Sequence, residues 1–321
     1  MIISKTPYRI SFAGGMSDIP SHYNKNGGCV VSTSINKYIY ITVNRKFDGK
    51  YKITYNQGEE VDSIDDIKHP LIRECLKYTG INHPIEIVSI ADVPGGSGLG
   101  SSSSFTVGLL NALYRYQGRI VNKYKLAEDA CRIEIDILKE PIGKQDQYAA
   151  VYGGLNRIDF KSNSVSINPI NISNLTYNNL DNNLMLFYTG KSRAAKSIFD
   201  SINLEEDKYN IINLSIIAKK MSTELKYSNI GRIPSLLNRE WNIKKKIGDI
   251  TNSKINDYIG TALKCGARGC KLCGAGSDGY LLVYCQPSRQ LYVKNSLGLK
   301  ELPFKFEEKG SRIIYESRER N

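Results

Sequence analysis

Long apolar runs are missing from this chain of 321 residues. No stretch approaches the roughly 18 consecutive apolar residues that a helix needs to span a bilayer. The N-terminus reads Met-Ile-Ile-Ser-Lys-Thr-Pro, with no basic segment leading into a long apolar core. A secretory leader is therefore not expected, and a cytoplasmic location without membrane attachment is. Histidine is scarce: His22, His69 and His83 are the three. Cys265, Cys270 and Cys273 cluster, but no fourth thiol or histidine pair completes a tetrahedral zinc set. Small apolar side chains packed beside a glycine turn is the plainer reading of that cluster. Seven cysteines is an odd number scattered over a long chain, so reduced thiols are expected rather than a disulfide framework. There is no RNP-like aromatic strand, zinc finger or long basic arm, which argues against nucleic acid as a partner despite a net charge of +12. The run Lys244-Lys245-Lys246 reads as a solvated helix face. The positive excess fits small anionic ligands such as nucleotides and sugar phosphates.

What is present suits a globular fold: 41% hydrophobic and 24% charged residues, in a length that makes one large or two medium domains. Residues 1–60 alternate β-branched and aromatic runs with Gly and Asn turns, the pattern of short strands. A helix is predicted over 70–79, a strand over 85–90 and an apolar helix over 102–117. Leu126, Ala130, Ile133 and Ile137 share one face of a further helix over 123–138. Around 161–180 the composition turns to Asn and Ser, which places a domain boundary there. We read an N-terminal domain over 1–170 and a C-terminal domain over 171–321, both α+β. In the second, a strand is predicted over 184–188, with helices near 192–203, 206–227, 232–247 and 254–264 and a strand over 280–284. The tail after Glu307 is charged and reads as loosely held, apart from a last strand over 312–315.

The densest signal is the segment Pro94-Gly95-Gly96-Ser97-Gly98-Leu99-Gly100-Ser101-Ser102-Ser103. It has the glycine spacing of a P-loop, but Ser101 stands where that motif demands Lys. It also starts a dinucleotide fingerprint twice, and Ser101 and Ser103 occupy the place of the third glycine. Both common nucleotide loops fail on named residues. The physics still favours phosphate. Glycines let the backbone turn its N–H groups inward. The following helix N-terminus adds about half a positive charge, and serine hydroxyls at a helix start can cap it or reach a divalent cation. A plain flexible turn with capping serines is the bland alternative.

Two more motifs stand in order along the chain: Thr6-Pro7-Tyr8-Arg9-Ile10-Ser11-Phe12-Ala13-Gly14-Gly15-Met16-Ser17-Asp18, and Lys271-Leu272-Cys273-Gly274-Ala275-Gly276-Ser277-Asp278-Gly279. The three together resemble the substrate, ATP and C-terminal glycine motifs of the GHMP kinase superfamily (galactokinase, homoserine kinase, mevalonate kinase, phosphomevalonate kinase). The stretch from Lys139 to Ala150, with Pro141-Ile142-Gly143-Lys144-Gln145-Asp146-Gln147, looks most like the heptose 7-phosphate kinases. The resemblance implies the two-domain GHMP kinase fold, with a ribosomal-protein S5 domain 2-like N-terminal domain and a ferredoxin-like C-terminal domain. It implies ATP and Mg2+ as cofactors and a sugar phosphate as the small-molecule partner. The oligomeric state is left open, a homodimer included.

The same resemblance suggests roles. Asp146 would receive the acceptor proton, although an N-capping Asp is the plainer alternative. Arg9 would be its cationic partner and stabilise charge on the transferring group. Glu134 with Ser102 would hold Mg2+, Glu128 and Asp136 being alternatives to the first and Ser101 to the second. Asp18, with Ser17 and Gly15, would hold sugar hydroxyls, and Gly274 and Gly276 would line the substrate site. Arg193 would bind a substrate phosphate, with Lys5 or Lys144 as helpers. Gly15 and Met16 replace the Glu and His of galactokinases, which argues against galactose. Asp278 would repel a triphosphate unless it points away. Phosphorylation of the anomeric hydroxyl of a heptose 7-phosphate is the leading reading. Another GHMP sugar 1-kinase, a silent sugar or nucleotide sensor, and an RNA-binding protein on the same N-terminal half are the alternatives.

Overall fold

The computed structural model describes residues 1–96, 98–190, 201–274, 276 and 278–317. Ser97, Arg193, Ser277 and most of the helix predicted near 192–203 lie outside the described residues.

Strand β1 (Ile2–Ala13) and the long β2 (Gly28–Arg45) form the antiparallel centre of the first sheet. Helix α1 (Pro20–Asn26) sits in the loop between them. Strands β3 (Tyr51–Thr54), β4 (Gly58–Val61) and β5 (Ile85–Ala91) extend one side, β3 parallel to β5. The length of β2 lets it serve two partners on that side: its second half pairs β5, while its first half pairs β6 (Leu155–Lys161), which in turn pairs β7 (Ser164–Pro169). Helices α2 (Pro70–Thr79), α3 (Ser101–Tyr116), α4 (Lys123–Cys131) and α5 (Gln145–Tyr152) follow β4 and β5 in the chain. Most of α3 is buried, because it lies across β1 and β2 and also meets α2, α4 and α5.

The predicted helix over 123–138 is interrupted. After Cys131 the chain widens into a π-helix, Arg132–Ile137, with Leu138 N bonded to Ile133 O. The wider turn changes which residues face inward. Ile137, expected on the buried face, is exposed, and Glu134 is fully buried instead.

The second sheet, in the order β11-β8-β10-β9, is antiparallel. Its strands are β8 (Leu184–Tyr188), β9 (Gly269–Leu272), β10 (Tyr280–Tyr284) and β11 (Lys300–Glu301). Strand β10 is buried on both faces. Tyr280, Leu282 and Tyr284 join the core shared with the first sheet, while Leu281 and Val283 face a second core. The remaining helices are α6 (Asn174–Asn182), α7 (Lys208–Lys226), α8 (Ile233–Lys244), α9 (Ser253–Lys264) and α10 (Pro287–Leu297).

The tail is not loose. Glu307 N donates to Ser34 O and Glu307 O accepts from Gly154 N, both at 2.9 Å, and Ser311 N donates to Ala150 O at 2.8 Å. Strand β12 (Arg312–Glu316) then pairs with β1, so the end of the chain closes the edge of the first sheet. Backbone hydrogen bonds hold this segment, which is why its charged composition misled.

Candidate active site

A cavity of about 340 Å³ opens where the loop before α3, the turn after β1 and the turn after β9 converge. Arg9, Gly15, Asp18, Gly96, Gly98, Gly100, Ser101, Ser102, Ser103, Asp146 and Gly274 all line it. Residues more than 260 positions apart in sequence therefore share one surface, which is what the three motifs lead one to expect.

The glycine-serine loop joins β5 to α3. Gly98 and Gly274 belong to different motifs and touch. A Cβ on Gly274 would lie 2.4 Å from Gly98 Cα, and one on Gly98 would lie 2.6 Å from Cys273 O. Both have left-handed φ values, +81° at Gly98 and +79° at Gly274, which an L side chain rarely adopts. The two loops meet backbone to backbone because neither carries a side chain there. Serines 101–103 start α3 beside this contact, so the helix N-terminus faces the cavity, an arrangement suited to an anion.

Arg9 lies on β1 with its guanidinium almost wholly buried. Its Nε and Nη2 each donate to Asp146, at 2.7 Å to Oδ1 and 2.7 Å to Oδ2, and its Nη1 donates to Gly98 O at 2.8 Å. This is a bidentate pair in a fixed fork. Asp146 is in the first turn of α5, but its carboxylate serves Arg9 rather than capping the helix. A Cβ on Gly100 would lie 3.2 Å from Asp146 Oδ2, so the carboxylate sits against the phosphate-type loop. Gln145 Nε2 adds a donor to Asp146 Oδ1 at 3.1 Å, and Ser11 Oγ holds Gln145 by its Oε1 at 2.9 Å.

Asp18 is fixed by two backbone amides, Met16 N at 3.0 Å and Gln145 N at 3.0 Å. Burial raises its pKa, the Gln145 amide counters this, and the nearby Asp146 charge adds to the rise. Met16 takes φ +79°, a strained value for a residue with a Cβ, in the turn that aims Asp18 into the cavity. Glu134 stands behind the loop. Its Oε1 accepts from Ser102 Oγ at 2.8 Å and Thr106 Oγ1 at 3.1 Å, and Gln147 Nε2 donates to its Oε2. Burial pushes the Glu134 pKa up, and the Ser102 and Gln147 hydrogen bonds hold it down in part.

Residues 68–154 match the GHMP kinases N terminal domain. Over 314 residues the chain is 29% identical to the D-glycero-alpha-D-manno-heptose 7-phosphate kinase of Campylobacter jejuni, covering 92% of this chain and 93% of that one. It is 24% identical over 365 residues to a galactokinase of Pyrococcus furiosus, covering 98% and 97%. The crystal structure of a D-glycero-D-manno-heptose 1-phosphate kinase from Bacteroides thetaiotaomicron superposes with a TM-score of 0.82 at 24% identity, covering 99% of this chain and all of that one. The chain has the GHMP kinase fold, with a match to the GHMP kinase N-terminal domain over 68–154. GHMP kinases are ATP-dependent phosphotransferases, which supports ATP as the cofactor. No helix among the described residues is long and apolar enough to cross a membrane.

Several expected site residues lie outside the cavity lining. Ser17 is fully buried and turned into the fold, its Oγ donating to Gly14 O at 2.7 Å and accepting from Cys29 N at 3.1 Å. Pro94 and Gly95 are exposed at the entry of the loop. Leu99 is buried, and its carbonyl accepts from Arg9 N at 3.1 Å. Gly276 packs against Ile250, away from the cavity lining. Lys5 lies over the Tyr38 ring at 3.7 Å, Lys144 pairs with Glu128 at 2.9 Å, and neither lines the cavity. Asp278 does not line the cavity: its buried Oδ1 faces Gly190. Asp136 is exposed.

Of the wall that carries Gly274, two lysines were given no role from the sequence. Lys244 was expected on a solvated face, yet it is 6% exposed and lines the cavity. Its place at the end of α8 turns it under the second glycine turn, where its Nζ donates to Gly274 O at 2.6 Å. Lys271, in the middle of β9, is 2% exposed, also lines the cavity, and donates to Phe12 O at 2.9 Å. Glu240, one helical turn before Lys244, accepts from Gly14 N at 3.1 Å and lies 3.5 Å from Lys271 Nζ. One signal was available: Glu240 and Lys244 are spaced four apart on a helix whose other inward residues are Leu236, Leu237 and Trp241.

Proposed function

We propose that the protein transfers the terminal phosphoryl group of ATP to the anomeric hydroxyl of a heptose 7-phosphate, giving the 1,7-bisphosphate and ADP. The observation that carries this reading is the Arg9–Asp146 pair, held bidentately against the glycine-serine loop in a cavity that also contains Asp18. The similarity to the C. jejuni enzyme supports the substrate class.

Asp146 is the proton acceptor. Arg9 fixes both of its oxygens and leaves it facing the loop, so the carboxylate has one orientation when the acceptor hydroxyl arrives. As the hydroxyl oxygen bonds to phosphorus, its proton passes to Asp146 and the bond to the ADP oxygen breaks. The loop amides and the N-terminus of α3 cradle the donor phosphates. Asp18 orients the sugar through its hydroxyls, its rotamer locked by the two amides. Ser102 and Glu134 fit a hard divalent cation: both offer oxygen, they lie 2.8 Å apart, and Ser102 lines the cavity. Mg2+ bound there would neutralise charge on the phosphates. Few protein ligands suffice for Mg2+, which usually keeps several waters.

The test is incubation with Mg-ATP and a panel of sugars, with ADP release as the readout. The panel holds heptose 7-phosphate, heptose 1-phosphate, free heptose, fucose and galactose. Turnover confined to the heptose 7-phosphate is expected. Turnover on free sugars alone would sink the substrate assignment, and none on any sugar would sink the sugar-kinase reading.

A further inference from the structure

We propose that the Lys244 ammonium receives a phosphate group inside the cavity, at the seam where the two glycine loops meet. Lys244 is a different residue from Arg193, the phosphate ligand expected from sequence. The proposal deepens the kinase reading and rests on it for the kind of anion.

Three observations converge. The first is charge matching. Arg9 is answered atom for atom by Asp146. Lys271 has Glu240 at 3.5 Å and the Phe12 carbonyl at 2.9 Å. Lys244 has only the neutral Gly274 carbonyl within hydrogen-bond distance among the described residues. Two buried ammoniums thus share one carboxylate, and Lys244 is the one left without a close anion. Burying an ammonium without one is costly, so a protein that keeps it there needs a compensating partner. Burial, with the Lys271 charge next in size, pushes its pKa down to about 8.

The second is position. Gly274, which Lys244 holds, packs directly on Gly98, and Gly98 O is bonded by Arg9. The ammonium therefore stands beside the loop that leads into α3. The third is valence. An ammonium has three N–H donors, and one is used among the described residues. Two donors are available on a side chain that lines the cavity.

The phosphate has two sources, the terminal group of the donor nucleotide or the substituent of the acceptor sugar, and the test separates them. Wild type, Lys244→Met and Lys245→Met are titrated by calorimetry with inorganic phosphate, a non-hydrolysable ATP analogue, AMP, heptose 7-phosphate and free heptose. Lys245 is the exposed neighbour and controls for the general field of the helix. The expected loss in K244M is about 10- to 100-fold in affinity for a phosphate-bearing ligand, the worth of a charge-assisted hydrogen bond, with K245M unchanged. Loss on the ATP analogue but not on AMP assigns the donor. Loss on heptose 7-phosphate but not on free heptose assigns the acceptor. Wild-type affinity of K244M for every phosphate-bearing ligand overturns the proposal, as does an equal loss in K245M. Removing a buried charge is not expected to lower the melting temperature, which is measured alongside to exclude misfolding. Failure of the kinase reading shows separately, as absence of ADP release by the wild type while the ATP analogue binds.

Discussion

The two walls of the cavity handle charge in opposite ways. On the N-terminal wall the groups are matched within the protein: Arg9 with Asp146, Asp18 with two amides, Glu134 with Ser102, Thr106 and Gln147. On the C-terminal wall Lys244 and Lys271 share Glu240, whose Oε2 has no hydrogen-bond partner among the described residues. A matched wall is preorganised: its geometry is set before any ligand arrives, which is what an oriented proton acceptor requires. An unmatched wall stores unfavourable electrostatic energy that an anion would relieve. Under the proposed function, the first wall carries the proton acceptor and the second offers an unmatched ammonium to an anion.

The strongest way to break that division is Asp146→Asn. If the matched wall does the chemistry, turnover should fall by about 10²- to 10⁴-fold, the usual worth of a general base. Binding of the ATP analogue should be nearly unchanged, because Asn keeps the shape. Equal turnover in the variant would remove Asp146 from the role, and a matching loss of nucleotide affinity would move it to the recognition side. Glu134→Gln comes next. It keeps the hydrogen-bonding shape behind Ser102 but removes the charge, so the activation curve for Mg2+ should shift by about 10- to 100-fold. Because burial already disfavours the charged form of Glu134, the melting temperature should hold or rise. An unshifted Mg2+ curve would make Glu134 a purely structural support for α3.

The difference between the walls also explains what could be read in advance. The N-terminal wall is written in short contiguous motifs, so Arg9, Asp18, the loop, Ser102 and Asp146 could be named before any coordinates. Their meeting point could not be derived from spacing alone, since it depends on α3 crossing β1 and β2. The C-terminal wall is built from one lysine at a helix end and one inside a strand. Lys244 sits in a triple-lysine run, and at that spacing one of three must turn inward once the helix packs; composition does not say which. The π-turn was illegible for the same kind of reason. Nothing in Arg132–Ile137 forbids a regular helix, and the wider turn arises where Glu134 meets donors from α3 and α5. Backbone pairing, joined by side-chain bonds from Tyr38 to Glu307 and from Asn111 to Ser311, fixes the tail from Glu307 to Ser311.

A smaller effect tests whether the walls are coupled. Gly274→Ala places a methyl group against Gly98 and forces a left-handed residue to carry a Cβ. The backbone strain alone costs about 1–2 kcal/mol, so the melting temperature should drop by several degrees. If the loops act together, affinity for the ATP analogue falls as well. A drop in stability with unchanged nucleotide affinity would mean that the contact only holds the domains in register.

The last effect is a dependence on pH, and it bears directly on the unmatched charge. Lys244 has a pKa of about 8 in the folded protein against an ordinary value of 10.5. Facing it are Glu240 on its own helix, Lys271 and Cys273 on β9 and the turn after it, and Arg9 on β1. Burial raises the Cys273 thiol above its ordinary value, and the positive charges of Lys271, Arg9 and Lys244 counter this in part. Between pH 8 and 10.5 the unfolded chain binds more protons at Lys244 than the folded one, and stability at this site therefore rises with pH. Below pH 8 the full cost of the buried charge is present. Lys244→Met should accordingly be more stable than wild type near pH 7, and the gap should close as pH climbs past 8, as read by urea unfolding of both proteins at matched pH values. Saturating phosphate should shrink the gap at pH 7, because the anion supplies the missing partner. A gap that neither closes with pH nor responds to phosphate would mean that Lys244 is already compensated in the folded chain, and the contrast between the two walls would dissolve.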